Sequence, residues 1–371
     1  MFIEDKKSGF AVFMEYSLYG FFAIFPFFIF NSFLYQGSSS RFLLLTLFVS
    51  VLAIGQGISL LSNSNRVRIM KSPILLISVL YLITIYVSGI NGVDFGASFW
   101  SRAERTSGLF YLTHLSLMVL FLINIVSQKE SRDKLLKVII LTSALYSLCA
   151  LVGPQGFDLM FRNNPYDGFM FGNSSFAAMY LLGAFFLSIY FVFKKKTKTN
   201  WFWYAVPLLI TLNPFFLNLT RPITGVTEIL GIAKASSIAF FVSIFMMLTF
   251  YFLQKIKKEN IRKVILLSFM AMSVVALGLI TQSLLDKDGV VRKIYEQGST
   301  LARPLVWGIA KESIKEKPVF GWGGDNFSVA FQENFDIRLM QDSYGNEPWF
   351  DRAHNTILDQ TVDTGYVGIF V

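Results

Sequence analysis

The chain is poor in charged residues, cysteine and histidine, and each shortage limits what it can be. Charged residues make up 15% and hydrophobic residues 54% of its 371 residues, whereas a typical soluble domain has about 25% charged residues. The single cysteine, Cys149, excludes an intrachain disulfide and a cysteine-based metal site. Of the two histidines, His114 lies in an apolar run and is expected to be buried with its hydrogen bonds satisfied, whereas His354 lies in a polar segment.

Apolar residues are concentrated in runs of about 20 residues, the length of helix that crosses a bilayer. Mean hydropathy is +0.53, and 40 residues are phenylalanine. These features predict an all-α polytopic membrane protein with about nine to ten transmembrane helices and a long helical loop outside the membrane. Glu15 precedes the first run, which lacks a convincing cleavage site and is expected to be retained. The nine predicted spans are 18–34, 42–60, 74–90, 108–125, 135–151, 172–193, 201–217, 235–253 and 261–280.

The net charge of +9 is distributed unevenly among the loops. The loops that would share one side of the membrane hold 17 Lys and Arg residues, whereas the alternate short loops hold six. By the positive-inside rule, the N-terminus and the basic loops lie in the cytoplasm, and the long segment after the ninth span lies outside. The positive charge is therefore a topological signal, and nucleic acid is not an expected partner.

The segment 285–364 is far longer than an ordinary connection, and loops of this length are usually functional or disordered. Its apolar residues recur at helical spacing, which favours an ordered loop. We therefore divide the chain into a transmembrane bundle of nine spans (1–284), the extracytoplasmic loop (285–364), and the start of a tenth span at 365–371.

Two helices and a glycine-rich turn are predicted within this loop. The first helix covers 301–314, with Pro304 in its first turn. The sequence Gly-Trp-Gly-Gly at 321–324 predicts a tight turn, because glycine tolerates positive φ. The second helix is predicted to begin near Pro348 and to end at Gly365.

His354 is the candidate catalytic residue of the second helix. Histidine ordinarily titrates near neutral pH, so it can accept and release protons under physiological conditions. Asp351 lies three residues earlier, a helical spacing at which its carboxylate would orient the imidazole. Arg352 and Asn355 flank the histidine. The alternatives are that His354 is a surface residue of a loop helix and that Asp351 only favours the helix N-terminus.

Several cationic residues outside the membrane are candidates for binding a lipid diphosphate. Arg102 and Arg105 lie in the short external loop before the fourth span, and a guanidinium binds phosphate in a bidentate fork. Arg303 begins the first loop helix, and Lys234 begins the eighth span on the same side. The alternative for each is contact with lipid headgroups.

A series of motifs runs through the chain. They are the stretches 98–110 and 171–177, Arg303 with Trp307, the segment PVFGWGGDNF at 318–327, the Ala-His-Asn triplet at 353–355, and the glycines Gly365 and Gly368. Together they resemble the O-antigen ligase and polymerase family of bacterial envelopes over nearly the whole chain. The resemblance implies a GT-C-type membrane glycosyltransferase, with His354 as its catalytic histidine and Arg303 as an essential loop arginine.

The chain departs from the family's pattern in two places. Ala233-Lys234-Ala235 stands where the family usually has Ser/Thr-Arg-Gly, so Lys234 would replace a diphosphate-binding arginine. Members of the family continue through further helices, so the tenth span beginning at 365–371 is expected to be cut short.

The resemblance implies transfer of a glycan from a polyprenyl-diphosphate carrier to an acceptor hydroxyl at the outer face of the cytoplasmic (inner) membrane. The expected partners are this donor, a lipid, glycan or protein acceptor, and membrane lipids. No metal or other cofactor is expected, because the cations are side chains. The predicted catalytic residues are His354, Arg303 and Asp351, and the predicted substrate-binding residues are Arg102, Arg105, Lys234, Trp307, Asn326, Arg352 and Asn355.

Other functions remain open from the sequence. A polysaccharide polymerase and a protein O-oligosaccharyltransferase of the same family would use the same chemistry on a different hydroxyl. A transporter is disfavoured, because ionisable residues cluster in the outer loop instead of at mid-membrane and no repeat is evident. A non-catalytic membrane protein is the remaining alternative.

The charge asymmetry predicts the orientation of the long loop. With Cys149 replaced by serine, a cysteine introduced at Gln341 should react with a membrane-impermeant maleimide added to intact cells. A cysteine at Lys196 should react only after the membrane is opened. The reverse pattern would overturn the orientation.

Overall fold

The computed structural model describes residues 9–30, 32–62, 73–156, 169–171, 174–194, 205–207, 209–210, 234–285, 302–344 and 346–371. All regular elements within these residues are helical, as the sequence predicts. The α-helices are α1 (Gly9–Ile24), α2 (Gln36–Ser62), α3 (Pro73–Asn91), α4 (Phe95–Trp100), α5 (Leu109–Ser127), α6 (Lys129–Gly156), α7 (Ser174–Lys194), α8 (Lys234–Lys255), α9 (Glu259–Leu285), α10 (Arg303–Glu316), α11 (Phe327–Glu333) and α12 (Thr356–Phe370).

Six of the described helices are long and apolar enough to cross a membrane. They correspond to the first four, the sixth and the eighth of the predicted spans. The helices α6 and α9 cover the fifth and ninth predicted spans with 28 and 27 residues, and the predicted span 201–217 lies largely outside the described residues. The count of nine to ten spans therefore stays a prediction. The six segments are Gly9–Phe27, Gln36–Ile58, Pro73–Asn91, Leu109–Ser127, Ser175–Phe193 and Ile238–Lys255.

The first predicted span is wrong in its boundaries, because α1 begins at Gly9, well before the predicted 18–34. The prediction placed Glu15 outside the helix, but this residue is buried within it. The Tyr19 hydroxyl donates to the Glu15 carboxylate at 2.5 Å and lies 3.0 Å from the carbonyl oxygen of Ser131. A carboxyl with such partners is tolerated where an isolated one would be costly.

The buried histidine of the spans is hydrogen-bonded within the bundle. His114 is buried, as predicted: its Nε2 lies 3.1 Å from Ser50 Oγ, and its Nδ1 lies 2.7 Å from the carbonyl oxygen of Phe110. Cys149 is a free cysteine. His114 is therefore accounted for by packing in the bundle.

The loop that follows α9 has an apolar core of its own. Side chains of α10, α11 and α12 surround Trp322, Phe331 and Phe350, whose exposed fractions are 2%, 1% and 5%. The predicted first loop helix is present as α10, with Pro304 in its first turn. The indole N–H of Trp322 donates to the carbonyl oxygen of Ser313 in α10 at 2.8 Å. The described part of the loop, from residue 302 onward, thus packs around a core, as the periodicity predicts.

The last helix differs from its prediction and contains a break. It begins at Thr356 instead of near Pro348 and continues past Gly365, where φ is 65° and ψ is −169°. A break at this glycine deprives nearby backbone groups of their helical partners. The segment 318–323 supplies replacements from outside the helix. The amides of Trp322 and Gly323 donate to the carbonyls of Val362 (2.8 Å) and Asp363 (3.0 Å), and those of Tyr366 and Val367 donate to the carbonyls of Pro318 (2.8 Å) and Val319 (3.4 Å).

The same region attaches the loop to the membrane bundle. The helix α12 packs against α3 and α10. The Ser88 hydroxyl in α3 donates to the carbonyl oxygen of Asp363 at 2.5 Å, and the amide of Val93, just after α3, donates to the carbonyl oxygen of Trp322 at 3.0 Å. Backbone carbonyls at and beside the break in α12 are therefore joined to the candidate membrane-spanning helix α3 and to the residue that follows it closely.

Substitution of Gly365 should weaken this junction. A Cβ at this position would overlap the carbonyl oxygen of Val319, and the positive φ is unfavourable for a side chain. We expect Gly365→Ala to lower the melting temperature of the detergent-purified protein, with a loss of at least about 1–3 kcal/mol from the backbone strain. Gly308→Ala is the matched control, because Gly308 lies in α10 and a methyl group there would have no neighbouring atom within 4 Å. An unchanged melting temperature for Gly365→Ala would contradict the role of the junction.

Candidate functional site

The short connection at 101–108 between α4 and α5 lies against the loop and is held there by Asp325. This residue has φ of +62° and follows the glycine-rich turn. Its Oδ2 accepts from the Ser101 hydroxyl at 2.9 Å and from the Arg102 amide at 2.7 Å. The carboxylate is 4% exposed, and its Oδ1 lies 3.6 Å from Nη2 of Arg352. Asp325 thus joins the connection to the loop.

Asn326 links the loop to α4 and its N-cap. Its Nδ2 donates to the hydroxyl of Ser98 at 3.0 Å and to the carbonyl oxygen of Asp94 at 3.2 Å. The Ser98 hydroxyl in turn donates to the carbonyl oxygen of Gly324 at 2.9 Å. Asn326 is 2% exposed, so its contacts in this structure are with the protein.

Arg105 forms a bidentate ion pair with Asp351. Its Nε and Nη2 donate to the two carboxylate oxygens at 2.5 and 2.8 Å. The exposed fractions are 27% for Arg105 and 8% for Asp351. Burial tends to raise the pKa of Asp351, but the hydrogen bonds and charge of Arg105 outweigh it and hold this pKa below its usual value. The hydrogen bonds of Asp351 likewise raise the pKa of Arg105, so both groups stay charged.

Arg102 and Arg352 are also engaged by neighbouring side chains. The Nη2 of Arg102 donates to the Ser328 hydroxyl at 2.5 Å, and its guanidinium carbon lies 5.1 Å from the ring centre of Trp349. The Nη2 of Arg352 donates to the Ser107 hydroxyl at 2.6 Å. Three arginines that the sequence suggested for substrate binding, Arg102, Arg105 and Arg352, therefore also attach the 101–108 connection to the loop.

His354 lies before α12 and not within it. Its φ is +53°, and the residue is exposed. The Asn355 side chain caps the helix by accepting from the amides of Ile357 (3.1 Å) and Leu358 (3.3 Å). The predicted helical spacing between Asp351 and His354 is therefore wrong, and the Asp351 carboxylate is paired with Arg105 instead.

The backbone on both sides of His354 is fixed by one carboxylate. The oxygens of Asp359, in the first turn of α12, accept from the amides of Ala353 at 2.6 Å and Asn355 at 3.2 Å. The imidazole also contacts the buried ring of Phe350, edge to face at 6.0 Å between ring centres. His354 is thus an exposed side chain on a constrained backbone.

Trp307 connects α10 to this segment. The indole N–H of Trp307 donates to the carbonyl oxygen of Ala353 at 3.0 Å. Arg303 is half-buried and lies four residues earlier in α10, which places it one turn away on the same helix face. Arg303 and His354 are therefore on neighbouring parts of the loop. Lys234 is the first residue of α8, and its side chain lies outside the described part of the structure.

A polar cavity of about 140 Å³ lies between the loop and the bundle. It is lined by Asp325, Arg352 and Asp363 together with Tyr81 and Gln360. Burial raises the pKa of Asp363 to about 8, although the positive charge of Arg352 opposes this shift. Sequence reasoning missed Asp325, Asp359 and Asp363. The signal for Asp359 was present, because an Asn followed by an acidic residue in the first turn is typical of a helix start.

No group of three or more metal-binding side chains is present among the described residues. Three arginines, Arg102, Arg105 and Arg352, lie where the loop meets the 101–108 connection. The described site therefore offers guanidinium groups for an anionic substrate and an imidazole for proton transfer.

Comparison with known proteins bears on the C-terminal part of the chain. Residues 223–371 match the family model described as O-antigen ligase (Wzy_C). No curated protein and no solved structure matches the chain. The matched region contains α8 to α12 and the segment that carries His354.

The Arg105–Asp351 pair should determine how firmly the 101–108 connection is held. Removing one partner of a buried ion pair leaves an uncompensated charge and typically costs on the order of 3 kcal/mol. We expect Asp351→Asn to speed hydrogen–deuterium exchange of the amides at 101–108. Glu312→Gln is the control, because its pair with Lys315 is exposed and such pairs contribute little. Equal exchange in the two variants would show that the pair does not hold the connection.

Proposed function

On the premise that the match at residues 223–371 supports an O-antigen ligase-related family, we propose that this protein is a glycosyltransferase. It moves a glycan from a polyprenyl-diphosphate carrier to an acceptor hydroxyl at the outer face of the cytoplasmic membrane. The observation that carries the proposal is the setting of His354, an exposed imidazole on a constrained backbone, three residues after the carboxylate that pairs with Arg105.

His354 acts as the general base of this reaction. The acceptor oxygen attacks the anomeric carbon of the donor glycan, and His354 takes the proton of the acceptor hydroxyl. The bond between the anomeric carbon and the diphosphate oxygen breaks, and its electron pair leaves with the diphosphate. Base catalysis of this kind contributes about 10²–10⁴-fold to a rate.

Arg303 neutralises the charge that develops on the leaving diphosphate. It lies one helical turn from Trp307, which bonds to the residue before His354. A guanidinium in this position would stabilise the transition state more than the ground state, because the diphosphate gains charge as the bond breaks. Trp307 positions Arg303 relative to the base, and Asn355 fixes the start of α12.

The remaining arginines hold the loop in place and also bind the diphosphate in the proposed reaction. Asp351 takes up Nε and Nη2 of Arg105, which leaves Nη1 as the donor for a phosphate oxygen. Asp351 is therefore a positioning residue that acts through Arg105. The side of the site that holds Arg105 is also shaped by Arg102, Arg352 and the buried amide of Asn326. Lys234 contributes a further positive charge at the start of α8.

A polymerase or a protein O-oligosaccharyltransferase would use the same residues with a different acceptor hydroxyl. The ligase-type reaction is the primary proposal, because the matching family model is described as O-antigen ligase. The proposed reaction uses no metal, since protein cations carry the charge neutralisation.

Substitutions of the base and of the loop arginine should have different effects on transfer. His354→Ala should reduce glycan transfer by about 10²–10⁴-fold while donor binding persists, because only the proton acceptor is lost. Arg303→Lys keeps the charge but loses the fork geometry, so donor affinity and transfer rate should both fall. The measurement is the initial rate of transfer from a defined polyprenyl-diphosphate glycan by the purified protein.

Arg338→Lys is the matched control for the arginine, because Arg338 is an exposed loop residue paired with Asp336. It should transfer glycan at the wild-type rate. Near-normal transfer by His354→Ala would remove His354 from the mechanism and leave it as a surface residue.

A further inference from the structure

Trp349 is an exposed aromatic residue on an otherwise polar stretch of the loop. It is 47% exposed, and the three residues before it, Asn346, Glu347 and Pro348, are exposed as well. The next residue, Phe350, is 5% exposed and belongs to the core of the loop. The buried side chain of Phe350 thus anchors the backbone here, while the indole of Trp349 remains exposed.

One guanidinium holds the indole in place. The Arg102 guanidinium carbon lies 5.1 Å from the ring centre, a distance typical of a cation–π contact. Arg102 is itself fixed at both ends, because its Nη2 bonds to Ser328 and its amide bonds to Asp325. This contact favours one orientation of the indole before any ligand arrives, which lowers the entropy cost of binding.

The position of Trp349 relates it to the proposed reaction centre. Phe350 contacts the imidazole of His354, and Asp351 holds Arg105. Trp349 is therefore followed directly in the chain by Phe350, which contacts the proposed base, and by Asp351, which orients Arg105. Packing of the loop core does not account for an exposed indole here, because Trp322, Phe331 and Phe350 already fill that core.

We infer that Trp349 is a stacking platform for a pyranose ring of the glycan substrate. One face of a pyranose carries C–H groups, which are weakly positive and apolar, and its rim carries hydroxyls. The indole face that Arg102 leaves uncovered is apolar and electron-rich, so it complements the C–H face. Neighbouring polar groups, among them Glu347, would face the hydroxyl rim. This inference rests on the proposed function and makes Trp349 a specificity-determining residue of that site.

The pyranose could belong to the donor glycan or to a glycan acceptor, and kinetics separate these sources. With Trp349→Ala, the KM of the substrate that supplies the stacked ring should rise about tenfold, corresponding to about 1.4 kcal/mol. The other substrate's KM and the value of kcat should change little. Trp349→Phe keeps an aromatic face and should restore most of the affinity. The donor and the acceptor are each varied while the other is held saturating.

Trp100→Ala is the matched control for exposure. Trp100 is 60% exposed and packs against Phe99 and Phe110. If Trp349 instead lay in the lipid headgroups, Trp349→Ala and Trp100→Ala would alter reconstitution into bilayers alike and leave both KM values unchanged. Unchanged KM values in Trp349→Ala would overturn the inference while leaving the proposed reaction intact.

A binding measurement keeps the inference testable if no transfer is detected. The probe is the water-soluble oligosaccharide released from the donor, titrated into the His354→Ala protein and followed by saturation-transfer NMR. Loss of oligosaccharide binding in the His354→Ala, Trp349→Ala double variant supports the stacking platform, provided that the His354→Ala, Trp100→Ala double variant still binds. Absence of oligosaccharide binding in the His354→Ala protein, or equal binding with and without Trp349, would overturn it.

Discussion

The break in α12 at Gly365 is the constraint on which the rest of the loop depends. A continuous helix would satisfy its own backbone and present only side chains to its surroundings. The break instead exposes amides and carbonyls, and the segment 318–323 pairs with them. Trp322 and Asp363 also accept hydrogen bonds from the Val93 amide and the Ser88 hydroxyl, so backbone carbonyls at the break help to set the position of the loop on the membrane bundle. The side-chain contacts of the site are built on this junction.

Electrostatics then determine which cations are available to a substrate. Arg105 is paired with Asp351, and the Arg352 guanidinium lies 3.6 Å from Asp325. These carboxylates lower the net positive charge of the site and fix the guanidinium groups of Arg105 and Arg352 in place. A cation that is already held in place needs little free energy to align with a transition state. The acids therefore support the proposed chemistry even though they reduce the net positive charge of the site.

The parts of the fold that depend on local pattern could be predicted from the sequence. The periodicity of 301–314 predicted α10 correctly, and the glycines at 321–324 indicated a turn that has positive φ at Gly321 and Gly323. The start of α12 was misplaced because Pro348 has the form of a first-turn proline, whereas Asn355 is the residue that caps the helix. The pairings of Arg105 with Asp351 and of Arg102 with Asp325 join residues 246 and 223 positions apart. Such contacts follow from the packing of α12 on α3 and are not encoded in local spacing.

The central claim is that the loop transfers a glycan from a lipid diphosphate to a hydroxyl with protein groups alone. The most direct measurement is incubation of the purified protein with a defined polyprenyl-diphosphate glycan and candidate acceptors in the presence of EDTA, with products identified by mass spectrometry. The account predicts a glycosylated acceptor and free polyprenyl diphosphate in equal amounts. Intact donor in every reaction, or donor moved across a vesicle membrane without cleavage, would contradict it.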